Sequence, residues 1–192
     1  MSIDLPGFAD PVLGAQSAFR AILEAMSRPG AVQIAGDGLT PPAGLAAAAA
    51  ACLLTLVDAD TALHLDAKFE PARDWIGFHC GAPFAATVAE ADFVLAPCLP
   101  DLALLAAGSD DGPQDGATVI LQVAGFGHGA RFLLAGPGLK APSPLVVDGL
   151  PANFEAIWAA NHARFPRGVD IILCSGDRLI ALPRSLRLMK EA

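Results

Sequence analysis

The segment Thr118-Val119-Ile120-Leu121-Gln122-Val123 constrains this chain more than any other. It is β-branched and nearly all apolar, with no polar alternation. A strand of that kind is buried on both faces, as the central strands of parallel-rich sheets are. Both faces of such a sheet need covering, and helices are the common cover. The sequence supplies them. Asp10 suits an N-cap and Pro11 the first turn of a helix. Phe19, Ile22, Leu23 and Met26 then recur at i, i+3, i+4 and i+7, which is one helical face. Ser27-Arg28-Pro29-Gly30 stops that helix, and Ala31–Ala35 reads as a short strand. Ala43–Val57, mostly alanine, predicts a second and buried helix. Glu70–His79 predicts a third, Leu99–Ala107 a fourth, and Phe154–Phe165 a fifth with Asn153 as its cap.

Further strands are expected at Leu63–Leu65, Phe93–Leu95, Val169–Leu173 and Leu179–Leu182. Ser175-Gly176-Asp177-Arg178 joins the last two as a hairpin. Phe132–Ala135 is expected to pair with Thr118–Val123 across Gly125-Phe126-Gly127-His128-Gly129. Pro137–Pro151 reads as a loop. The elements together predict an α/β chain, one domain over residues 1–192, with a mixed sheet covered by helices on both faces.

Composition narrows the function classes. Hydrophobic residues make up 54% and charged residues 17%, which excludes a disordered chain. The 19 glycines and 16 prolines predict many turns between short elements. A net charge of −8 with a pI near 4.7 disfavours generic nucleic-acid binding, because an acidic surface repels phosphate backbones. Arg184–Arg187–Lys190 is the densest basic stretch and reads as a solvated tail. The start, Met1-Ser2-Ile3-Asp4, lacks the basic region of a secretory signal. The alanine run falls short of the roughly 20 apolar residues that span a bilayer. A cytoplasmic chain without membrane contact is the expectation. Cys52, Cys80, Cys98 and Cys174 form no C-x-x-C pair and read as free thiols.

Signatures of self-sufficient chemistry are missing. There is no P-loop, no G-x-S-x-G elbow, no H-E-x-x-H and no zinc-spaced His/Cys cluster. Gly125-x-Gly127-x-Gly129 follows a strand as a dinucleotide loop does, but a second strand comes next where a phosphate-binding helix would start. Lys68, Lys140 and Lys190 sit in no apolar pocket that would lower their pKa. No catalytic residue, metal or cofactor is therefore assigned. His64 and His128 read as surface residues, and His162, on the Trp158 side of its helix, as partly buried or at an interface. Arg20 faces a surface ion pair with Glu24. His79 precedes Cys80 in a turn and is either a ligand contact or a hydrogen-bonded structural residue. Asp170 interrupts an apolar strand, and Arg184 ends its neighbour. A charge in such a place wants a partner, either each other or an anion or interface.

Several blocks carry a resemblance. They are Ala15-Gln16 with Phe19-Arg20 and Ala25-Met26-Ser27-x-Pro29-Gly30; Leu53-Leu54-Thr55-Leu56-x-Asp58-x-Asp60-Thr61; Phe78-His79-x-x-Ala82-Pro83; Gly116-Ala117-Thr118-x-Ile120-Leu121-Gln122-Val123; and Phe165-Pro166-x-Gly168-x-Asp170 through Leu179, Ala181, Pro183 and Arg184. In order and spacing they resemble the H subunit family of the bacterial carbon–phosphorus lyase system (PhnH). The resemblance implies a three-layer αβα sandwich with a mixed sheet, similar to the large domain of pyridoxal-phosphate (PLP)-dependent transferases but without PLP. It implies homodimers that join the G, I and J subunits in a core complex. That complex converts alkylphosphonate and ATP to ribose 1-phosphonate 5-triphosphate. The resemblance places the later radical chemistry on the J subunit and adenine displacement on the I subunit. Arg20, His79, Asp170 and Arg184 fall inside the matching blocks and are the binding or interface candidates. The alternative is an independent binder or enzyme acting on a phosphorylated or phosphonate small molecule, for which Arg is the suited residue.

Overall fold

A computed structural model describes residues 4–190. Helix α1 spans Pro11–Ser27, strand β1 Gln33–Ile34, α2 Ala47–Leu56, β2 Leu63–Leu65, α3 Arg73–Cys80 and β3 Phe93–Ala96. Strands β4 (Thr118–Gln122), β5 (Gly125–Ala135) and β6 (Ser143–Asp148) follow, then α4 (Phe154–His162), β7 (Asp170–Ser175), β8 (Arg178–Leu182) and β9 (Arg187–Lys190). A six-stranded sheet has the order β1-β8-β7-β4-β3-β2, and β6-β5-β9 form a second, three-stranded sheet. In the large sheet β2, β3, β4 and β7 run parallel, while β8 and β1 pair antiparallel at one side. The chain is therefore α/β with a mixed sheet.

Alternation along each strand sorts the core into two halves. Leu95, Ile120, Ile172, Cys174, Leu179 and Ala181 point to the face covered by α1, α2 and α3. Val94, Val119, Leu121, Ile171, Leu173 and Ile180 point to the other face, covered by α4 and the three-stranded sheet. Strand β4 sits between β3 and β7, so both its edges are taken and both its faces buried. That arrangement overturns the expected hairpin. Phe132–Ala135 cannot pair with β4 and instead extends β5, which pairs with β6 and β9. Residues 137–151 are accordingly not one loop, since they contain β6. The C-terminal basic stretch is not a free tail either, since Arg187–Lys190 forms β9.

Helix α2 is apolar except for Thr55 and has no exposed face, as buried helices are. It starts at Ala47 rather than Ala43 because Gly44 adopts φ +90°, outside the helical region. Its cap residue, Ala46, has no side-chain oxygen. Gly176 O takes the Ala48 N–H of the first turn at 2.9 Å, and Gln122 at the end of β4 holds the chain entering the helix: Oε1 accepts from the Ala46 N–H at 2.8 Å, and Nε2 donates to Gly44 O at 2.9 Å. Asp10 caps α1 as the sequence predicts, accepting from Val12 and Leu13 at 3.0 Å. The buried stripe of α1, however, is Ala18, Ile22 and Ala25. Phe19 and Leu23 are 50% and 56% exposed. Small residues let α1 approach α2 closely, which turns the larger ones outward. The segment 99–107 forms only a short turn at Leu102–Leu104, because Pro97 and Pro100 flank it and Ala107 bridges to Gly116. Helix α4 ends at His162, and Asn153 makes no side-chain capping bond.

Candidate functional site

Four of the sequence candidates were Arg20, His79, Asp170 and Arg184, and the structure joins only the last two. Asp170 opens β7, and Arg184 follows β8 after Pro183. The antiparallel β7–β8 register, with Ile171 opposite Leu182, brings the two chain ends together. Arg184 Nε lies 3.1 Å from both carboxylate oxygens of Asp170, and Nη2 pairs with Oδ2. The Arg184 backbone N–H also donates to Asp170 Oδ1 at 2.7 Å. Nη1 donates to Pro113 O. The two side chains are 12% and 19% exposed. The guanidinium is thus committed to a clamp that ties β7, the chain after β8 and the turn at Pro113–Asp115 into one block. Gly116 is required beside it, since a Cβ there would run into Arg184 Nη1 and Gly168 O.

One turn of α4 extends this block. Trp158, Asn161 and His162 stand at i, i+3 and i+4, on one side of the helix. Trp158 Nε1–H donates to Leu186 O at 2.9 Å. Asn161 is 2% exposed and holds both backbone groups of Val169, donating to its carbonyl at 2.8 Å and accepting from its N–H at 2.9 Å. Its approach requires Gly168, which has φ +132°. His162 Nδ1 sits 3.1 Å from Arg184 O. A carbonyl only accepts, so Nδ1 carries the hydrogen, and in the neutral ring Nε2 is the acceptor. The sequence reading missed Asn161. Its signal was a polar residue on the apolar side of a helix whose neighbour Trp158 is buried.

Beside His162 the chain leaves a groove of about 430 Å³ between α4 and β9, lined by Ala159, Ala163, Leu188 and Met189 with Trp158 beneath, and edged by Arg187. Arg187 makes no hydrogen bond or ion pair among the described residues.

The remaining candidates lie elsewhere. Arg20 is exposed on α1 and has no partner there, because Glu24 pairs with Arg28 at 2.9 Å instead. His79, on α3, has Nε2 3.1 Å from Leu5 O, and Trp75 Nε1–H donates to the same carbonyl at 2.9 Å. Its ring packs on Trp75 and Phe78, with centroids 4.8 and 5.0 Å away. His64 is half-buried rather than on the surface, with Nδ1 3.4 Å from Ala85 O. His128 is exposed.

Burial pushes the Cys80 thiol up to about 12, and the Cys174 thiol is raised by its hydrogen bond to Cys52 and by burial. Thiols held protonated are poor nucleophiles and poor metal ligands. Among the described residues no group of three or more His, Cys, Asp or Glu is placed to hold a metal ion. No helix among them is long and apolar enough to cross a membrane.

The fold and site define an α/β protein whose charged pair, Asp170 and Arg184, fastens β7 to the chain after β8. The chain belongs to the PhnH family. The family model described as bacterial phosphonate metabolism protein (PhnH) matches residues 6–189. A relative from Rhizobium meliloti (strain 1021), alpha-D-ribose 1-methylphosphonate 5-triphosphate synthase subunit PhnH, is 35% identical over 189 residues, covering 96% of this chain and 94% of its own. Another from Stutzerimonas stutzeri, putative C-P lyase subunit protein HtxG, is 35% identical over 181 residues, covering 90% and 85%.

Proposed function

We propose that this chain is a subunit of the carbon–phosphorus lyase core complex. It supports the conversion of alkylphosphonate and ATP to ribose 1-phosphonate 5-triphosphate in organophosphonate breakdown, without being catalytic on its own. Similarity along nearly its whole length to a protein named as a synthase subunit carries this reading. In it the chain acts in the cytoplasm, forms homodimers, and joins the G, I and J subunits. Its architecture is that of the αβα large domain of PLP-dependent transferases, without the cofactor. The parallel run β2-β3-β4-β7 under α1, α2 and α3 supports that likeness.

The surface supports an assembly role. Val12, Phe19 and Leu23, 76%, 50% and 56% exposed, lie on one stripe of α1 at spacings of seven and four. Leu13 beside them is 62% exposed, and Ile34 of the edge strand β1 is 63% exposed. An apolar face of that kind marks an interaction surface. Co-expression with the G, I and J subunits and native mass spectrometry tests the proposal. A stable mixed complex is expected; a chain that stays apart from all three partners overturns it.

A further inference from the structure

The groove between α4 and β9 plays no part in the subunit reading, yet its chemistry is specific. Its walls are small on one side and soft on the other. Ala159 and Ala163 of α4 leave an open slot, and Leu188 and Met189 of β9 face it. A volume near 430 Å³ falls in the range of small-molecule sites, roughly 300–1,000 Å³. Methionine adapts to a flat ring and makes favourable sulfur–aromatic contacts.

Only two polar side chains meet this slot, and they differ in kind. In its neutral form His162 offers the Nε2 lone pair, an acceptor without a partner among the described residues, because Nδ1–H is spent on Arg184 O. Arg187 offers a guanidinium with no counter-ion among the described residues, on a chain whose net charge is −8. His162 is presented on a rigid frame. The Asp170 clamp fixes Arg184, whose carbonyl fixes His162, and Leu186 O fixes Trp158. A pre-organised site loses less freedom on binding.

We propose that this groove binds a small, flat aromatic anion carrying an N–H or O–H donor. The ring lies between α4 and β9, its donor reaches His162 Nε2, and its carboxylate or phosphate pairs with Arg187, a geometry for which Arg is suited. The occupant is a small molecule, because the groove is of small-molecule size and offers one acceptor and one cation.

Calorimetry on the full-length chain tests this with four matched probes. Indole-3-acetate has ring, donor and anion. Naphthalene-1-acetate lacks the donor, indole lacks the anion, and acetate lacks the ring. Indole-3-acetate is expected to bind saturably, and the two partial probes at least about tenfold more weakly, with no heat from acetate. Arg187→Gln is expected to weaken indole-3-acetate by about tenfold and to leave indole unchanged. Ala159→Trp fills the slot from an exposed helix position and is expected to abolish binding while the melting temperature holds. No saturable heat from any probe at millimolar concentration overturns the proposal. So does binding that ignores both Arg187→Gln and Ala159→Trp, which would mark adhesion elsewhere on the chain.

Discussion

Truncating Arg184 to alanine removes three side-chain contacts to Asp170 and the donor to Pro113 O. It leaves a carboxylate that is 19% exposed with the Arg184 backbone N–H as its remaining recorded donor. Removing one partner of a fully buried pair costs about 3–5 kcal/mol, because the other charge is stranded. Some water reaches this pair, and one donor survives, so the lower end applies, about 3 kcal/mol. For a chain of this length each kcal/mol lowers the melting temperature by about 2–4 °C, so a fall of roughly 6–12 °C is expected. Thermal unfolding followed by circular dichroism measures it. The double variant Arg184→Ala/Asp170→Asn should recover part of the loss, since a neutral amide needs no counter-charge. If Arg184 instead serves a ligand or partner, its truncation leaves the isolated chain intact. A melting temperature within about 1 °C of wild type would therefore refute the clamp, as would a double variant no better than the single.

Asn161→Leu should cost about 2–4 kcal/mol by urea unfolding, since both Val169 backbone groups lose their partner in a dry site. Gln122→Ala should cost about 1 kcal/mol, since the Ala46 N–H and Gly44 O lose their partner, and raise amide exchange at Ala46. Of the four thiols, Cys98 is exposed and should react fast with a disulfide reagent at pH 8; Cys80, held protonated, should react slowly, and Cys52 and Cys174 only on unfolding. Cys80 also sets a pH dependence. Its folded pKa of about 12 exceeds the ordinary 9.0, so the unfolded chain releases its proton first. Its contribution is complete below pH 9 and is lost as pH climbs toward 12, so wild type should lose more stability over that window than Cys80→Ala.

The sequence made the central strand legible because burial on both faces leaves an unbroken apolar run at β4. Helix α1 was legible at its cap and not at its face. Phe19 and Leu23 fit the period of the buried stripe as well as Ile22 does, and periodicity ranks residues by size. Packing against the buried α2 chose the small residues instead. The β5 assignment failed for a related reason: adjacency along the chain favours a hairpin, while the free edges of β4 were already claimed by β3 and β7, strands distant in sequence. Asp170 and Arg184 were visible as charges in apolar surroundings, and the pairing was one of the readings left open. The structure shows the pair and adds Pro113 O, a backbone atom 71 residues away that accepts from the third guanidinium nitrogen. Backbone acceptors carry no sequence signal. For the same reason Asn161 and Gln122, whose partners are all backbone, escaped notice although they hold β7 and α2 in place.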